Sequence, residues 1–155
     1  MKVYLVQHAE AKSKEEDPDR PLSDRGWAEI RTVAAYVAEH ADIEVNQIYH
    51  SGKVRARQTA EALAAALHPA EGIDQVDDLA PLAEASVWAA GLAGMTDDIM
   101  LVGHLPHLSK LAGLLLCQDE AKPVVAFRMG GIVCLSQAES GDWSVRWLVT
   151  PEIVG

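Results

Sequence analysis

The chain has 155 residues, enough for one domain that removes about two-thirds of its unfolded surface from water, so residues 1–155 are expected to form a single unit. Its 23 Asp and Glu against 13 Lys and Arg give a formal charge of −10, which argues against nucleic acid as a partner, since that binding draws its strength from neutralising phosphates with many cations. The apolar run between Lys2 and Gln7 is too short for a signal-peptide core and none elsewhere approaches a membrane span, so the expectation is a soluble cytoplasmic protein.

The first apolar run, VYLV (Val3 to Val6), leads into Gln7 and His8 and reads as a strand covered on both faces. The charged stretch KSKEEDPDRP that follows reads as a surface loop. Leu22, Trp27, Ile30, Val33, Ala34 and Val37 then recur at helical spacing; with Ser23 as N-cap and Leu22 against Trp27 as a staple, they predict a helix from about Asp24 to His40. NQIYHS reads as a second strand. GKVRARQTAEALAAAL predicts a helix capped by Ser51, with Ala60, Leu63 and Leu67 inward.

A further helix is expected over Pro81 to Leu92, before DIMLVGH supplies another buried strand that ends in His104. The segment Leu105 to Leu116, with Pro106 in its first turn and Leu108, Leu111 and Leu115 inward, predicts the next helix. GGIVCLSQ and WSVRWLVT flank AESGD, where Gly141 and Asp142 favour a turn, so a hairpin at one sheet edge is expected. Cys117 and Cys134 stand in apolar contexts without CxxC spacing and are expected as buried free thiols. This alternation predicts an α/β fold: three α/β/α layers around a mostly parallel central sheet with an antiparallel edge hairpin.

Two of the strand runs, LVQH and LVGH, end in histidine, and open α/β sheets bind ligands just beyond the carboxyl ends of their strands. His8 and His104 are therefore expected to face one site. In HSGKVRARQT, Arg55 falls in the first turn of a helix, where unpaired N–H groups and the helix dipole favour an anion. Arg57 lies four residues before Glu61, a surface ion-pair spacing, which makes Arg55 the better anion ligand.

Taken in order and over nearly the whole chain, LVQHAEA, RPLSDRG, SGKVRARQTA and LVGHLPHL resemble the histidine phosphatase superfamily, also called phosphoglycerate mutase-like. The length is similar to that of its short SixA-type phosphohistidine phosphatase branch. The resemblance implies a phosphoglycerate mutase-like fold, with His8 as the nucleophile that takes the phosphoryl group, Arg55 as a phosphate clamp, and His104 as a second clamp and charge stabiliser. It implies neither metal nor cofactor, and a substrate that is a protein bearing phosphohistidine or a small phosphate compound. Phosphoryl transfer asks mainly for an in-line nucleophile and positive groups around the equatorial oxygens. A neutral imidazole meets the first need when its other ring nitrogen is held, for example by a backbone carbonyl.

The departure is Gln7, where the family pattern has arginine. Gln keeps an amide but loses the charged fork that grips a phosphate, and a lost transition-state donor costs on the order of 3 kcal/mol, or about a hundredfold in rate. Arg20 in DRPL and Lys53 are the cations placed to compensate, although each also fits a solvated surface charge. His107 fits either a further phosphate donor or an exposed helix-start histidine. Glu84 and Asp78 are the nearest candidates for a general acid, but neither lies in a motif, and none is assigned. An imidazole leaving from phosphohistidine needs little help from an acid, whereas an alkoxide needs a proton, so a P–N substrate fits these residues better. Glu10 fits a supporting role near His8 or an exposed loop acid equally.

Three functions remain open. One is a phosphatase working through phospho-His8; another is a catalytically weakened relative that binds a phosphorylated partner or anion because Gln7 replaces arginine. The third, a metal module of His8, His104 and His107, is disfavoured because zinc sites usually recruit carboxylate or thiolate ligands and no HExxH or paired-Cys spacing exists.

Overall fold

The computed structural model describes residues 1–155. The two apolar runs become adjacent parallel strands, β1 (Lys2–Gln7) and, later in the chain, Ile99–Gly103, with Val3 opposite Ile99 and Gln7 opposite Gly103. In chain order the elements after β1 are α1 (Asp24–His40), β2 (Gln47–His50), α2 (Val54–Leu67), β3 (Ile73–Gln75), a 3-10 turn (Asp77–Leu79) and α3 (Ala85–Leu92). They continue with β4 (Ile99–Gly103), α4 (His107–Cys117), β5 (Ile132–Gln137), β6 (Trp143–Val149) and the short α5 (Pro151–Val154). The six strands form one sheet in the order β3-β2-β4-β1-β5-β6. The first four of these pair in parallel, while β5 runs antiparallel to both β1 and β6. The expected edge hairpin is therefore present, and Gly141 at its turn takes φ +93°, a left-handed conformation that suits glycine.

Strand alternation sorts the core into two layers. Tyr4 and Val6 point to the face covered by α1 and α2, where they join Ile30, Val33, Val37, Ala60 and Leu63. Val3 and Leu5 point to the opposite face and pack with Trp88, Leu92, Leu108 and Leu111 of α3 and α4. Helices on both faces explain why Val3–Val6 and all of β4 are buried and read as continuous apolar runs.

Helix α1 begins as expected, with Ser23 Oγ accepting from the Gly26 N–H at 3.0 Å. Gly26 allows this helix to lie directly on the loop after β1, because a Cβ there would stand 2.1 Å from the Glu10 carbonyl oxygen. Several expectations are corrected. Helix α3 starts at Ala85 rather than Pro81: Ala80 ahead of the proline is extended, Ala83 N–H turns back to the Ala80 carbonyl, and Glu84 is extended again before the helix. Pro106 caps α4 from outside instead of occupying its first turn. Lys53, not Ser51, is the N-cap residue of α2, and no side chain caps that end. Leu67 is only half-buried. Cys117 is exposed where α4 ends, while Cys134 is buried in β5 and its thiol is pushed up to about 11, chiefly by burial. No helix is long and apolar enough to cross a membrane.

Candidate active site

Because β1 and β4 are parallel neighbours, the residues that follow them emerge side by side. The His8 N–H extends the ladder by donating to the Gly103 carbonyl at 3.0 Å, and the rings of His8 and His104 stand 5.1 Å apart at 50°. His8 is 8% exposed and its Nδ1 lies 2.7 Å from the Ala9 carbonyl oxygen. A carbonyl can only accept, so Nδ1 carries the hydrogen and the free lone pair belongs to Nε2. Burial pushes the His8 pKa down to about 4, helped by the nearby charges of Arg55 and Arg20 and opposed by the Ala9 hydrogen bond. At neutral pH the ring is uncharged.

The loop carrying His8 is fastened to α2. Ala9 N–H donates to Thr59 Oγ1 at 3.0 Å, and the Thr59 hydroxyl donates in turn to the Arg55 carbonyl at 2.7 Å. One residue earlier, Gln58 Oε1 accepts from the Leu22 N–H at 2.8 Å and ties the start of α1 to the same helix. These bonds hold the first turn of α2, and with it Arg55, against the end of β1. Arg55 is partly buried, its Nε is buried without a protein partner, and no carboxylate pairs with it. By contrast Arg57 makes the expected ion pair with Glu61 at 3.4 Å. Burial, followed by the charge of Arg20, lowers the pKa of Arg55, which marks a cation short of solvation.

His104 is 2% exposed. Its Nε2 lies 2.6 Å from Ser51 Oγ, and its Nδ1 is buried with no protein partner. Burial pushes its pKa down to about 3, reinforced by His8, Arg55, Lys53 and His107. Arg20, which the sequence could not separate from a surface charge, is brought to the site by a tight turn. Its backbone is left-handed at φ 49°, its N–H donates to the Asp17 carbonyl, and its Nε donates to the Lys12 carbonyl at 3.0 Å. Its charge acts on both His8 and Arg55. Gln7 ends β1 half-buried, with its carbonyl accepting from the Gly130 N–H at 3.0 Å and its side-chain amide making no hydrogen bond within the protein.

The remaining candidates sit differently. His107 is fully buried, so it is not an exposed helix-start histidine and presents no surface to an incoming anion. Both of its ring nitrogens lack partners, and burial lowers its pKa, with Asp78 opposing and Lys110 reinforcing. Lys53 is exposed. Glu10 accepts from the Ser23 hydroxyl at 2.9 Å and lies 3.8 Å from Arg25, so it braces the start of α1 rather than standing free in the loop. Glu84 and Asp78 are exposed, and neither is among the charges that act on His8 or His104. No group of three His, Cys, Asp or Glu side chains is placed to hold a metal ion. Ser51 and Thr59 are the functional neighbours that sequence reasoning missed. Thr59 stands four residues after Arg55, the spacing at which a hydroxyl reaches back to a helical carbonyl, and that was the available signal.

The geometry thus places two neutral imidazoles beside two guanidinium groups that pair with no carboxylate, a local positive field in an acidic chain. Comparison with known proteins bears on the family and the fold. The family model described as histidine phosphatase superfamily (branch 1) matches residues 3–89, more than half of the chain. The sequence is 26% identical over 156 residues to phosphohistidine phosphatase SixA of Escherichia coli (strain K12), covering 97% of this chain and 94% of that protein. It is 35% identical over 120 residues to an uncharacterised protein of Picosynechococcus sp., covering 72% of this chain and 71% of the other. The fold superposes on the structure of the protein histidine phosphatase SixA complexed with tungstate with a TM-score of 0.87, at 23% identity and with 100% of both chains covered. The expected phosphoglycerate mutase-like architecture is therefore the observed one, and the chain belongs to the histidine phosphatase superfamily, branch 1.

Proposed function

We propose that the chain is a phosphatase that removes the phosphoryl group from protein phosphohistidine through a covalent intermediate on His8. The observation that carries this reading is the state of the His8 ring: Nδ1–H is spent on the Ala9 carbonyl, which leaves the Nε2 lone pair of a neutral imidazole as the nucleophile. In the first step the Nε2–P bond forms as the P–N bond to the substrate imidazole breaks. The electron pair of that bond stays on the departing ring nitrogen, which takes a proton from solvent. In the second step water attacks phosphorus, the Nε2–P electron pair returns to His8, and the water releases its proton to give inorganic phosphate. Arg55, Arg20 and His104 hold the equatorial oxygens, and the Gln7 amide adds a neutral donor. A substrate with a weakly basic leaving group suits a site in which no carboxylate acts on the histidine pair.

The relative SixA is described with tungstate, a tetrahedral oxyanion shaped like phosphate, which makes tungstate a suitable competitor here. The test is incubation with a labelled phosphohistidine donor followed by quenching under alkaline conditions. Label on His8 that chases into inorganic phosphate is the expected result. A second reading, an anion-binding relative without turnover, is favoured by the uncharged side chain at Gln7. Its signature is protection by phosphate or tungstate against unfolding with no label on His8.

A further inference from the structure

Ser51 was expected to cap α2, yet its hydroxyl is used elsewhere. The Lys53 N–H donates to Ser51 Oγ at 3.3 Å, and the same oxygen lies 2.6 Å from His104 Nε2. We infer that Ser51 is a positioning residue that holds His104 as its Nδ1–H tautomer, so that a neutral imidazole keeps one N–H free for the phosphoryl oxygens.

A neutral imidazole has one N–H and one lone pair, and the Ser51 contact involves only one of its two nitrogens. Were the hydrogen on Nε2, Ser51 Oγ would accept from both Lys53 and His104, and its own hydrogen would have no acceptor among the bonds it makes. His104 Nδ1 would then be a buried lone pair with nothing to meet. With the hydrogen on Nδ1, Ser51 accepts from Lys53 and donates to Nε2, and both of its contacts are satisfied. The one group then unspent is the buried Nδ1–H of His104, on a ring 5.1 Å from the ring of His8. Leaving such a donor without a protein partner is costly in an empty interior and useful where an anion arrives.

Neutrality matters because tautomer choice has no meaning for an imidazolium. The charged and titratable groups that face His104 are His8 from the end of β1, Arg55 and Lys53 from the start of α2, and His107 at the first position of α4; all of them disfavour a charge on the ring. A carboxylate at position 51 would draw a second proton onto His104, whereas a hydroxyl orients the ring without charging it. Ser51 touches no reacting atom and acts through His104. The part of this inference that concerns phosphate rests on the phosphatase reading above, while the tautomer does not.

The experiment is nitrogen–proton correlation spectroscopy of the imidazole side chains at neutral pH, with tungstate affinity measured alongside. In the unaltered protein, His104 Nδ1 should resonate as a protonated, pyrrole-type nitrogen and Nε2 as a pyridine-type one. Ser51→Ala should lose that preference and bind tungstate about tenfold more weakly, the cost of one misdirected hydrogen bond, and Ser51→Thr should restore both. A protonated Nε2 in the unaltered protein overturns the inference, as does an unchanged tautomer and tungstate affinity in a folded Ser51→Ala. If Ser51→Ala fails to fold, the tautomer in the unaltered protein decides. An Nδ1–H tautomer in a protein that never labels His8 sinks the phosphatase reading alone, and a labelled His8 beside an Nε2–H tautomer sinks this one alone.

Discussion

Replacing Gln7 with arginine sets a charged fork beside His8, the proposed nucleophile, as the resemblance to the histidine phosphatase pattern implies for this position. The substitution breaks little, because the Gln7 amide makes no hydrogen bond within the protein. Its backbone is held independently by the Gly130 N–H and by pairing opposite Gly103. A hydrogen bond from a charged donor is worth roughly twice a neutral one, and a donor that acts in the transition state contributes about 3 kcal/mol, so kcat should rise about a hundredfold. The free protein should become slightly less stable, since a third guanidinium joins Arg55 and Arg20, and added phosphate should reverse that loss. The assay is steady-state hydrolysis of a small phosphohistidine donor, with Arg20→Ala made in both backgrounds. If Arg20 supplies the missing charge, its removal costs more with Gln7 than with Arg at that position. An unchanged or lower kcat in Gln7→Arg would falsify the idea that the site is weakened at position 7.

Stability should depend on pH with a definite sign. An unfolded histidine takes up its proton near 6.5 and the folded His8 only near 4, so between these values the unfolded state binds more protons and unfolding becomes harder as pH rises. The His8 contribution, about 3 kcal/mol, is complete above pH 6.5 and is lost as pH falls towards 4; urea denaturation at pH 7 and 4.5 should show it, and His8→Asn should remove this share of the dependence while the share from His104 remains. A pH-independent difference between the two proteins would contradict the assigned state of His8. Thr59→Val keeps the shape of the side chain but strands the Ala9 N–H and releases the Arg55 carbonyl. It should cost about 1–3 kcal/mol in denaturant titrations and lower kcat more than it raises KM, whereas a stability change under about 0.5 kcal/mol would show that the bridge to α2 is dispensable.

The parts of the molecule legible in the sequence are those where a local pattern and its burial coincide. β1 and β4 are continuous apolar runs because both faces are covered, and α1 shows its cap and its inward stripe in order. The convergence of His8 and His104 followed from strands that end in histidine, although their adjacency depends on the strand order, which no local pattern encodes. β3 and α5 have three and four residues, too few for a period to register. Ser51 misled because a serine just before a helix usually caps it, and only the fold brings His104 within reach. Arg20 lies in a polar loop where a site cation and a solvated charge read alike, and only its left-handed turn brings its charge to bear on His8 and Arg55. His107 read equally as a phosphate donor or an exposed histidine, and as the first residue of α4 it is fully buried.

The most direct measurement of the central claim is site-resolved phosphorylation: mass spectrometry of the chain after brief exposure to a phosphohistidine donor, quenched at alkaline pH. A phosphoryl group on His8 Nε2, absent from His8→Asn and decaying into inorganic phosphate, is the expected outcome. Turnover of the donor by His8→Asn at the unaltered rate, or label residing on His104 or His107 instead, would contradict it.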